Sequence, residues 1–529
     1  MSQATRVVRN LYRDSVSLMQ LSASLGKMSG VEQASVVMAT PANVNLLREA
    51  RFIDGEIAAG PNDLLIVLRG RSDAELGAAM ESAEKALNDV PRSHAEEESA
   101  GAMAPKSIEM ALSAAPAANF ALISTPGEYA AAEAMKALRL GLNVMLFSDN
   151  VSLEDEIALK RLARERELLV MGPDCGTAII NGVPLAFANV VRRGAIGCIG
   201  ASGTGLQQVT CLIDRLGLGI SQAIGTGSHD LHKSVGGITM LQSIAALARD
   251  PETAVLVLIS KPPAPEVAQK VLAAASKSGK PVVVNFIGAD ASAVQGKHLF
   301  PVTTLEEAAS AAVALARGRR PTTPRVPANG AIAVRLLPTQ RYIRGLYSGG
   351  TFCYEASLLL GRMLGDATAR VWSNTPVVKD DALTDVWHSR EHTIIDLGDD
   401  LFTRGRPHPM IDHRLRNERL LSEADDPEVA VILFDIVLGF GAHPNPAGEI
   451  VTAIGAAQAR ATKKKRQIAF VGFVCGTPAD PQNLERQEST LRAAGVQLAP
   501  SNAAAVRLAA SMIARKGAAR TSRKVAVTR

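Results

Sequence analysis

The chain has 529 residues, enough for three or four domains, and an apolar fraction of 47% that can fill large cores. Aromatics are only 4% and the net charge of +5 comes mostly from dispersed basic residues, which speaks against nucleic-acid binding; no uninterrupted apolar run reaches membrane-spanning length and no basic-then-apolar leader opens the chain. The five cysteines, Cys175, Cys198, Cys211, Cys353 and Cys475, are widely spaced with no Cys-x-x-Cys pair, so neither a zinc site nor a disulfide framework is implied. A reducing cytoplasm is the expected compartment, with Cys198 and Cys211 as core residues.

In chain order, Thr5 to Asn10 alternates weakly like a strand, Asp14 to Leu25 has helical spacing, Val31 to Met38 reads as a strand and Pro41 to Ala50 as a helix. A strand at Asp63 to Arg69 and a helix at Ser72 to Leu87 complete a split βαβ, ferredoxin-like α+β domain over residues 1–90. Residues 91–106 form a polar linker. Residues 107–190 then alternate strand and helix: Phe120 to Ser124, a turn at Pro126 and Gly127, helix Glu128 to Leu140, strand Asn143 to Phe147, helix Leu153 to Glu167 and strand Leu168 to Met171. This predicts a parallel Rossmann unit ending in the loop Gly172-Pro173-Asp174-Cys175-Gly176-Thr177, at a strand C-terminus where open α/β sheets place ligands. The loop reads equally as a structural turn.

Next comes Gly194-Ala-Ile-Gly-Cys-Ile-Gly200, a short apolar run, followed by Ala201, Ser202, Gly203, Thr204, Gly205 and a helical pattern to Leu216. A strand entering a helix through small residues can hold an anion: unpaired N–H groups and the helix dipole point into the loop, and Ser202 and Thr204 add donors. A plain capped helix with glycines for close packing is the alternative. Neither the dinucleotide fingerprint nor a P-loop fits the spacing.

The stretch has an echo. Gly349, Gly350 and Thr351 stand where Ser202, Gly203 and Thr204 stand; Asp250-Pro-Glu returns as Asp426-Pro-Glu, Pro281 to Ile287 as Gln467 to Val474, and Leu299 to Leu315 as Leu498 to Met512. Two flavodoxin-like repeats are predicted, at 191–318 and 331–514, joined by a linker at 319–330 and followed by a basic tail at 515–529. The second repeat adds Gly439-Phe-Gly441-Ala-His443 ahead of a helix from Pro446 to Ala459. His229, beyond Gly225-Thr-Gly-Ser228, and His443 are catalytic candidates. His408 and His413 flank a proline with no convincing ligand set, so no metal is expected. The runs Lys463 to Arg466, Lys379 to Asp381 and Arg390-Glu391 read as solvated surface. The segment Ala369 to His392 holds both tryptophans and has no counterpart in the first repeat. It is expected to cover an anion cleft or contact a partner, with a surface helix as the plain alternative.

The order Ser124-Thr-Pro-Gly127, Met171-Gly-Pro-Asp-Cys-Gly176, Gly200-Ala-Ser-Gly-Thr204, Asp250-Pro-Glu252 and Lys280-Pro-Val282 resembles the α subunit of succinyl-CoA synthetase. The second repeat, with Asp426-Pro-Glu and Leu438-Gly-Phe-Gly-Ala-His443, resembles the C-terminal domain of that enzyme's β subunit. One chain carrying both halves behind an extra domain resembles the acyl-CoA synthetase-like FdrA family. The resemblance implies a succinyl-CoA synthetase-like α/β fold in which residues 107–190 are CoA-binding-like, with Pro126, Gly127, Pro173, Asp174 and Cys175 in a substrate or CoA-like loop. It implies a phosphate site at paired helix N-termini, formed by Ser202, Gly203, Thr204, Gly205, Gly349, Gly350, Thr351, Gly439 and Gly441. The sequence departs from the synthetase where a histidine carries the phosphate: Pro301 stands there, with His298 three residues early, and Lys261 replaces the glutamate that orients the histidine. A member of the family is assigned as a subunit of oxamate carbamoyltransferase. The resemblance therefore implies phosphate or carbamoyl phosphate as ligand and other subunits of a hetero-oligomer as partners, in a cytoplasmic enzyme. CoA and a nucleotide belong to the rival acid–thiol ligase; a non-catalytic phosphate-binding scaffold is the third reading.

Overall fold

The computed structural model describes residues 2–525 apart from 12, 14, 50, 51, 54, 56, 89–104, 323–333, 365–369, 404 and 405. Most of the linker at 91–106, most of the one at 319–330 and residue Ala369 therefore lie outside the described residues. The chain divides into two compact units, one of residues 1–174 with 400–412, the other of residues 175–399 with 413–529.

The first unit opens with β1 (Ser2–Val8), α1 (Ser15–Leu25), β2 (Val31–Met38), α2 (Pro41–Glu49), β3 (Leu64–Gly70) and α3 (Asp73–Asn88). β3 lies between β1 and β2 and is antiparallel to both, which is the ferredoxin-like arrangement with α2 added in the β2–β3 connection. Leu64, Ile66 and Leu68 of β3 pack into one core with Leu18, Leu25, Leu76, Ala79 and Ala83 of α1 and α3. β1 begins earlier than the predicted Thr5 and ends before Asn10, because Asn10 turns with φ 51° and donates its N–H to Asp63 at 2.9 Å, while Arg9 pairs with the same carboxylate at 2.6 Å. Further along, α4 (Ile108–Ala114), β4 (Phe120–Ile123), α5 (Gly127–Arg139), β5 (Asn143–Leu146), α6 (Leu153–Glu165) and β6 (Val170–Met171) build a parallel sheet of order β4-β5-β6.

The second unit holds both repeats. In the first, the hairpin β7 (Thr177–Ile180) and β8 (Val183–Ala186) precedes β9 (Arg193–Gly200), α7 (Gly203–Arg215), β10 (Ile220–Gly225), α8 (Ile238–Arg249), β11 (Val255–Ser260), α9 (Pro265–Ser276), β12 (Val282–Phe286), β13 (Leu299–Pro301) and α10 (Leu305–Ala316). In the second, β14 (Tyr342–Tyr347), α11 (Gly350–Leu364), β15 (Val371–Trp372), β16 (His392–Asp396), α12 (Arg414–Asp425), β17 (Val429–Val437), α13 (Pro446–Lys463), β18 (Ala469–Cys475), α14 (Leu484–Ala493), β19 (Gln497–Ala499) and α15 (Asn502–Val525) follow.

The sheets run β13-β12-β11-β9-β10-β7-β8 and β15-β16-β14-β17-β18-β19. Leaving out the outermost additions, both have the flavodoxin order 2-1-3-4-5, so the duplication seen in the sequence is a duplication of topology. The additions differ. The first repeat gains the antiparallel hairpin, which takes the chain from Thr177 onward into this sheet, and the second gains the parallel strand β15. The central strands are largely apolar, β17 being buried along its whole length with Asp435 as its one charged residue, as parallel strands covered on both faces must be.

The charged runs lie at the surface except at Arg466, which turns into the fold; Arg390 is exposed and Glu391 half-buried. Arg466 is buried and donates to the carbonyls of Ala424 and Asp426. The Arg390 guanidinium lies 4.4 Å from the centre of the Trp372 ring, whose indole N–H donates to Glu391 at 3.1 Å. The tryptophan segment contributes a two-residue edge strand, β15, with buried Trp372, and otherwise runs as turns and a 3-10 helix at Lys379–Asp381, with Trp387 48% exposed.

Candidate functional site

In a 2-1-3-4-5 sheet the crevice opens at the C-terminal ends of the first and third strands. In the first repeat these ends lead into Ala201–Ser202 and Lys261. β9 reaches Gly200, and Ser202, in extended conformation, caps α7 by accepting the Gly205 N–H at 3.0 Å. Ser202 is buried, whereas Gly203 and Thr204 are half-exposed. A Cβ on Gly203 would lie 3.3 Å from Thr177 Oγ1, so any larger side chain would fill the space over the loop. Lys261, at the end of β11, is exposed and stands 5.4 Å from the centre of the Tyr354 ring of the second repeat.

The matching loop of the second repeat lies directly against this one. Ser202 and Thr351 share a hydrogen bond of 2.6 Å between buried hydroxyls, and a Cβ on Gly349 would meet Thr204 at 2.8 Å. Its electrostatics are different. Asp435, fully buried on β17, accepts the N–H groups of Ser348 and Gly349 at 2.9 and 3.0 Å and the Ser348 hydroxyl at 2.9 Å. Arg416 pairs with Asp435 at 3.2 Å and is itself held by His413 Nδ1 at 2.5 Å. Asp396, at the end of β16, lies beside Gly350, where a Cβ would be 2.6 Å from its carboxylate. The amides of Ser348 and Gly349 therefore already have an internal acceptor. Burial pushes the Asp396 carboxyl up to about 7 against the pull of Lys261, and burial likewise raises Asp435 against Arg416. Glu355, one turn into α11, is pushed up to about 7 by burial, although it accepts the Leu305 N–H of the first repeat at 2.8 Å and the Asn502 side chain at 2.8 Å.

The loop Gly439 to His443 leaves β17 through two positive-φ glycines, at 108° and 77°. Its backbone is clamped: Gly439 exchanges hydrogen bonds with the Gln482 side chain, and Phe440 donates its N–H to Ala188 at 2.9 Å. Asn189 donates to Leu438 O at 2.9 Å and to Asp480 at 2.8 Å. A Cβ on Gly441 would strike the Phe187 ring at 2.8 Å. Phe187 O in turn accepts the Thr177 hydroxyl, so Thr177 and Phe187 stand between Gly203 of the first loop and Gly441 of this one. His443 is 10% exposed; its Nδ1 accepts the Asn445 N–H at 3.0 Å, which leaves Nε2 to carry the proton of the neutral ring, 3.7 Å from Glu449. His413 packs edge-on against it at 5.4 Å.

His229 is exposed on the turn after β10 and packs against His232 at 4.9 Å. The turn is anchored by buried Asp230, which accepts the N–H groups of Thr239 and Met240 at the start of α8. Cys175 is buried, and a Cβ on Gly225 would lie 2.5 Å from its sulfur. In the first unit, Asp174 donates its N–H to Ser148 O, Pro126 precedes α5, and a Cβ on Gly127 would lie 2.3 Å from Asp149 O. Pro126 and Gly127 are both half-exposed at the start of α5. Among the described residues no group of three or more His, Cys, Asp or Glu is placed to hold a metal. His408 and His413 are instead parts of packed networks, and burial lowers His408 to about 4.

Sequence reasoning passed over Asp435, Asp396, Arg416, Glu355, Asn189 and Asp480. The first two carried a signal: an aspartate ending or interrupting the apolar runs Val429 to Val437 and Thr393 to Asp396 must find partners once buried.

Comparison with known proteins supports the α/β fold, and the CoA-binding match falls on the first repeat, not on residues 107–190. A CoA-ligase family model matches residues 346–512, a CoA-binding-domain model residues 191–288, and a model described as the heavy metal-associated domain of AllF residues 1–104. None of the chain's cysteines falls in that last segment. The α subunit of the ADP-forming succinate–CoA ligase of Aquifex aeolicus is 29% identical over 150 residues, 27% of this chain and 48% of that subunit. The match thus spans about half of that relative. A solved dinucleotide-forming acetyl-coenzyme A synthetase of Ca. Korarchaeum cryptofilum is 17% identical, covering 76% of this chain and 84% of that one with a TM-score of 0.31. The class is a succinyl-CoA synthetase-like α/β protein with CoA-binding and CoA-ligase domains. Within it, the uncharacterized protein YahF of Escherichia coli is 45% identical over 498 residues, covering 93% of this chain and 95% of YahF, and the chain belongs to the YahF family.

Proposed function

We propose that the chain is a subunit of an enzyme that transfers an acyl-type group between phosphate and an acceptor without phosphorylating a histidine, the specific pair being carbamoyl phosphate and oxamate. The observation that carries this reading is the position of the synthetase's phosphoryl acceptor, occupied here by Pro301 at the end of β13. His298 is exposed at the opposite end of that strand, away from the ligand edge of the sheet. The acceptor nitrogen attacks the carbamoyl carbon, the C–O bond to phosphate breaks, and phosphate leaves. The half-exposed Gly203–Thr204 backbone and the Lys261 ammonium are suited to the developing phosphate charge, which is the principal catalytic demand of such a step. His229 and His443 are the candidates to move the acceptor proton. Partner subunits would supply what the chain lacks.

The second reading, an acid–thiol ligase using CoA and a nucleotide, is favoured by the CoA-ligase and CoA-binding matches. Titration calorimetry of the full chain with carbamoyl phosphate, phosphate, CoA and ATP separates the two. Binding of carbamoyl phosphate and phosphate is expected, with Lys261→Ala weakening both. Tight CoA binding without carbamoyl phosphate binding would replace the first reading by the second, and phosphate binding alone would leave a scaffold.

A further inference from the structure

Glycine inside a helix costs about 1 kcal/mol relative to alanine and is retained where another backbone must come close. Gly77 lies in the interior of α3, and a Cβ there would meet nothing within 4 Å. No packing among the described residues calls for it. The residue lines a groove of about 420 Å³ between the Gln3–Arg6 stretch of β1 and the Asp73, Leu76, Met80 and Glu81 side of α3. β1 is an edge strand: it pairs with β3 on one side and with no strand on the other among the described residues. Leu76 and Met80 are buried beneath the groove, and the strand, Ser-Gln-Ala-Thr-Arg-Val-Val, carries no proline to blunt its edge. Among the described residues, an unpaired edge, an apolar floor and a glycine that no neighbour requires together describe a seat for one more strand.

We propose that this seat takes the β1 strand of a second copy of the chain, the two strands pairing antiparallel about a two-fold axis near Ala4 and Thr5. The charges favour this occupant. Ser2 pairs with Gly70, so α3 starts, at Asp73, beside the Ser2 end of β1; at the other end Arg6 reaches Glu84. An antiparallel copy carries its Arg6 to the Ser2 end, next to Asp73, which has no ion-pair partner among the described residues. The two-fold makes the contact twice, as an isologous interface requires. Ala4 and Gly77 leave room for the incoming Arg6 side chain, and the two sheets join into one of six strands. This inference stands independently of the proposed function.

Sedimentation velocity of the full chain over a concentration series tests it. The wild type is expected to dimerise. Gly77→Gln should raise the dimer dissociation constant at least tenfold while leaving the unfolding temperature equal or higher, because glutamine is the better helix former and has open space. Arg6→Glu should also dissociate the dimer, and Arg6→Glu with Asp73→Arg should recover it. A monomeric wild type, a dimer unmoved by Gly77→Gln, or a double variant that stays monomeric would each overturn the proposal.

Discussion

The two repeats share strand order, yet their first loops are satisfied by different groups: a buried carboxylate in the second, a backbone carbonyl in the first. In the second repeat the amides ahead of α11 are satisfied from within, by a carboxylate that is itself neutralised by a buried arginine. In the first repeat the equivalents of those acids are apolar or absent. Counting from Asp250 and Asp426, Ile259 stands where Asp435 stands, and the strand registers place Gly225 where Asp396 stands. A helix N-terminus favours negative charge wherever that charge comes from. One copy of the duplicated loop carries its anion as a side chain; in the other the Ala201 N–H is met by the Ile259 carbonyl at 3.0 Å, and the half-exposed Gly203–Thr204 turn is the part proposed to take an anion from solution. The difference teaches that a glycine-rich junction is open to an external anion only where its own sheet does not fill it.

The comparison is broken most forcefully at Asp435. Asp435→Ala leaves Arg416 buried without its partner and two amides without an acceptor, and should cost about 3–5 kcal/mol in denaturant unfolding; a loss below about 1 kcal/mol would mean that the second loop does not depend on its internal anion. Glu355→Gln comes next. Its folded carboxyl, at about 7, lies above the ordinary value of 4.5, so folding takes up a proton: this group stabilises the fold as pH falls from about 7 toward 4.5 and opposes it above 7. Wild type minus Glu355→Gln should therefore show a pH-dependent stability difference of up to about 3 kcal/mol across that window, and a flat difference would sink the assignment. Burial holds His392 and His408 near 4, with the opposite sign, so the subtraction is essential.

On the binding side, Gly203→Leu and Thr204→Val should each raise the phosphate dissociation constant about ten- to a hundredfold, equivalent to about 1.4–2.8 kcal/mol, in folded protein. Gly350→Ala should instead leave phosphate affinity unchanged and lower the unfolding temperature, since its Cβ would crowd Asp396. Equal effects at the two loops would erase the asymmetry. The smallest change is Thr351→Val, which removes the hydroxyl bridge to Ser202 and should cost about 1 kcal/mol in thermal unfolding.

The duplication, the strand-to-helix junctions and the strand content of the repeats were legible in the sequence because they rest on local pattern: apolar runs, glycines and order along the chain. What could not be read was where the polar groups would meet. Asp435 and Ser348 are far apart in sequence, as are Glu355 and Leu305, and nothing in local pattern predicts that the amides of one loop would be met from β17 while the other stays half-open. Arg466 shows the same limit from the other side: in a run of lysines it reads as surface, but three residues after the helix has ended it turns inward to carbonyls that only the fold brings near. The candidate site was legible as a loop and illegible as an electrostatic environment.

The seam between the repeats has a consequence for how the chain could be divided. Ser202 with Thr351, Glu355 with the Leu305 amide, Arg215 with the Val474 and Gly476 carbonyls, and Asn189 with Asp480 are all polar and all cross from one repeat to the other. A protein severed between Arg320 and Arg335 would give fragments that each bare these unmatched groups beside apolar surface, so neither half should persist alone. Co-expressed, the pieces should find each other and behave as a non-covalent heterodimer, with the seam serving as its recognition code.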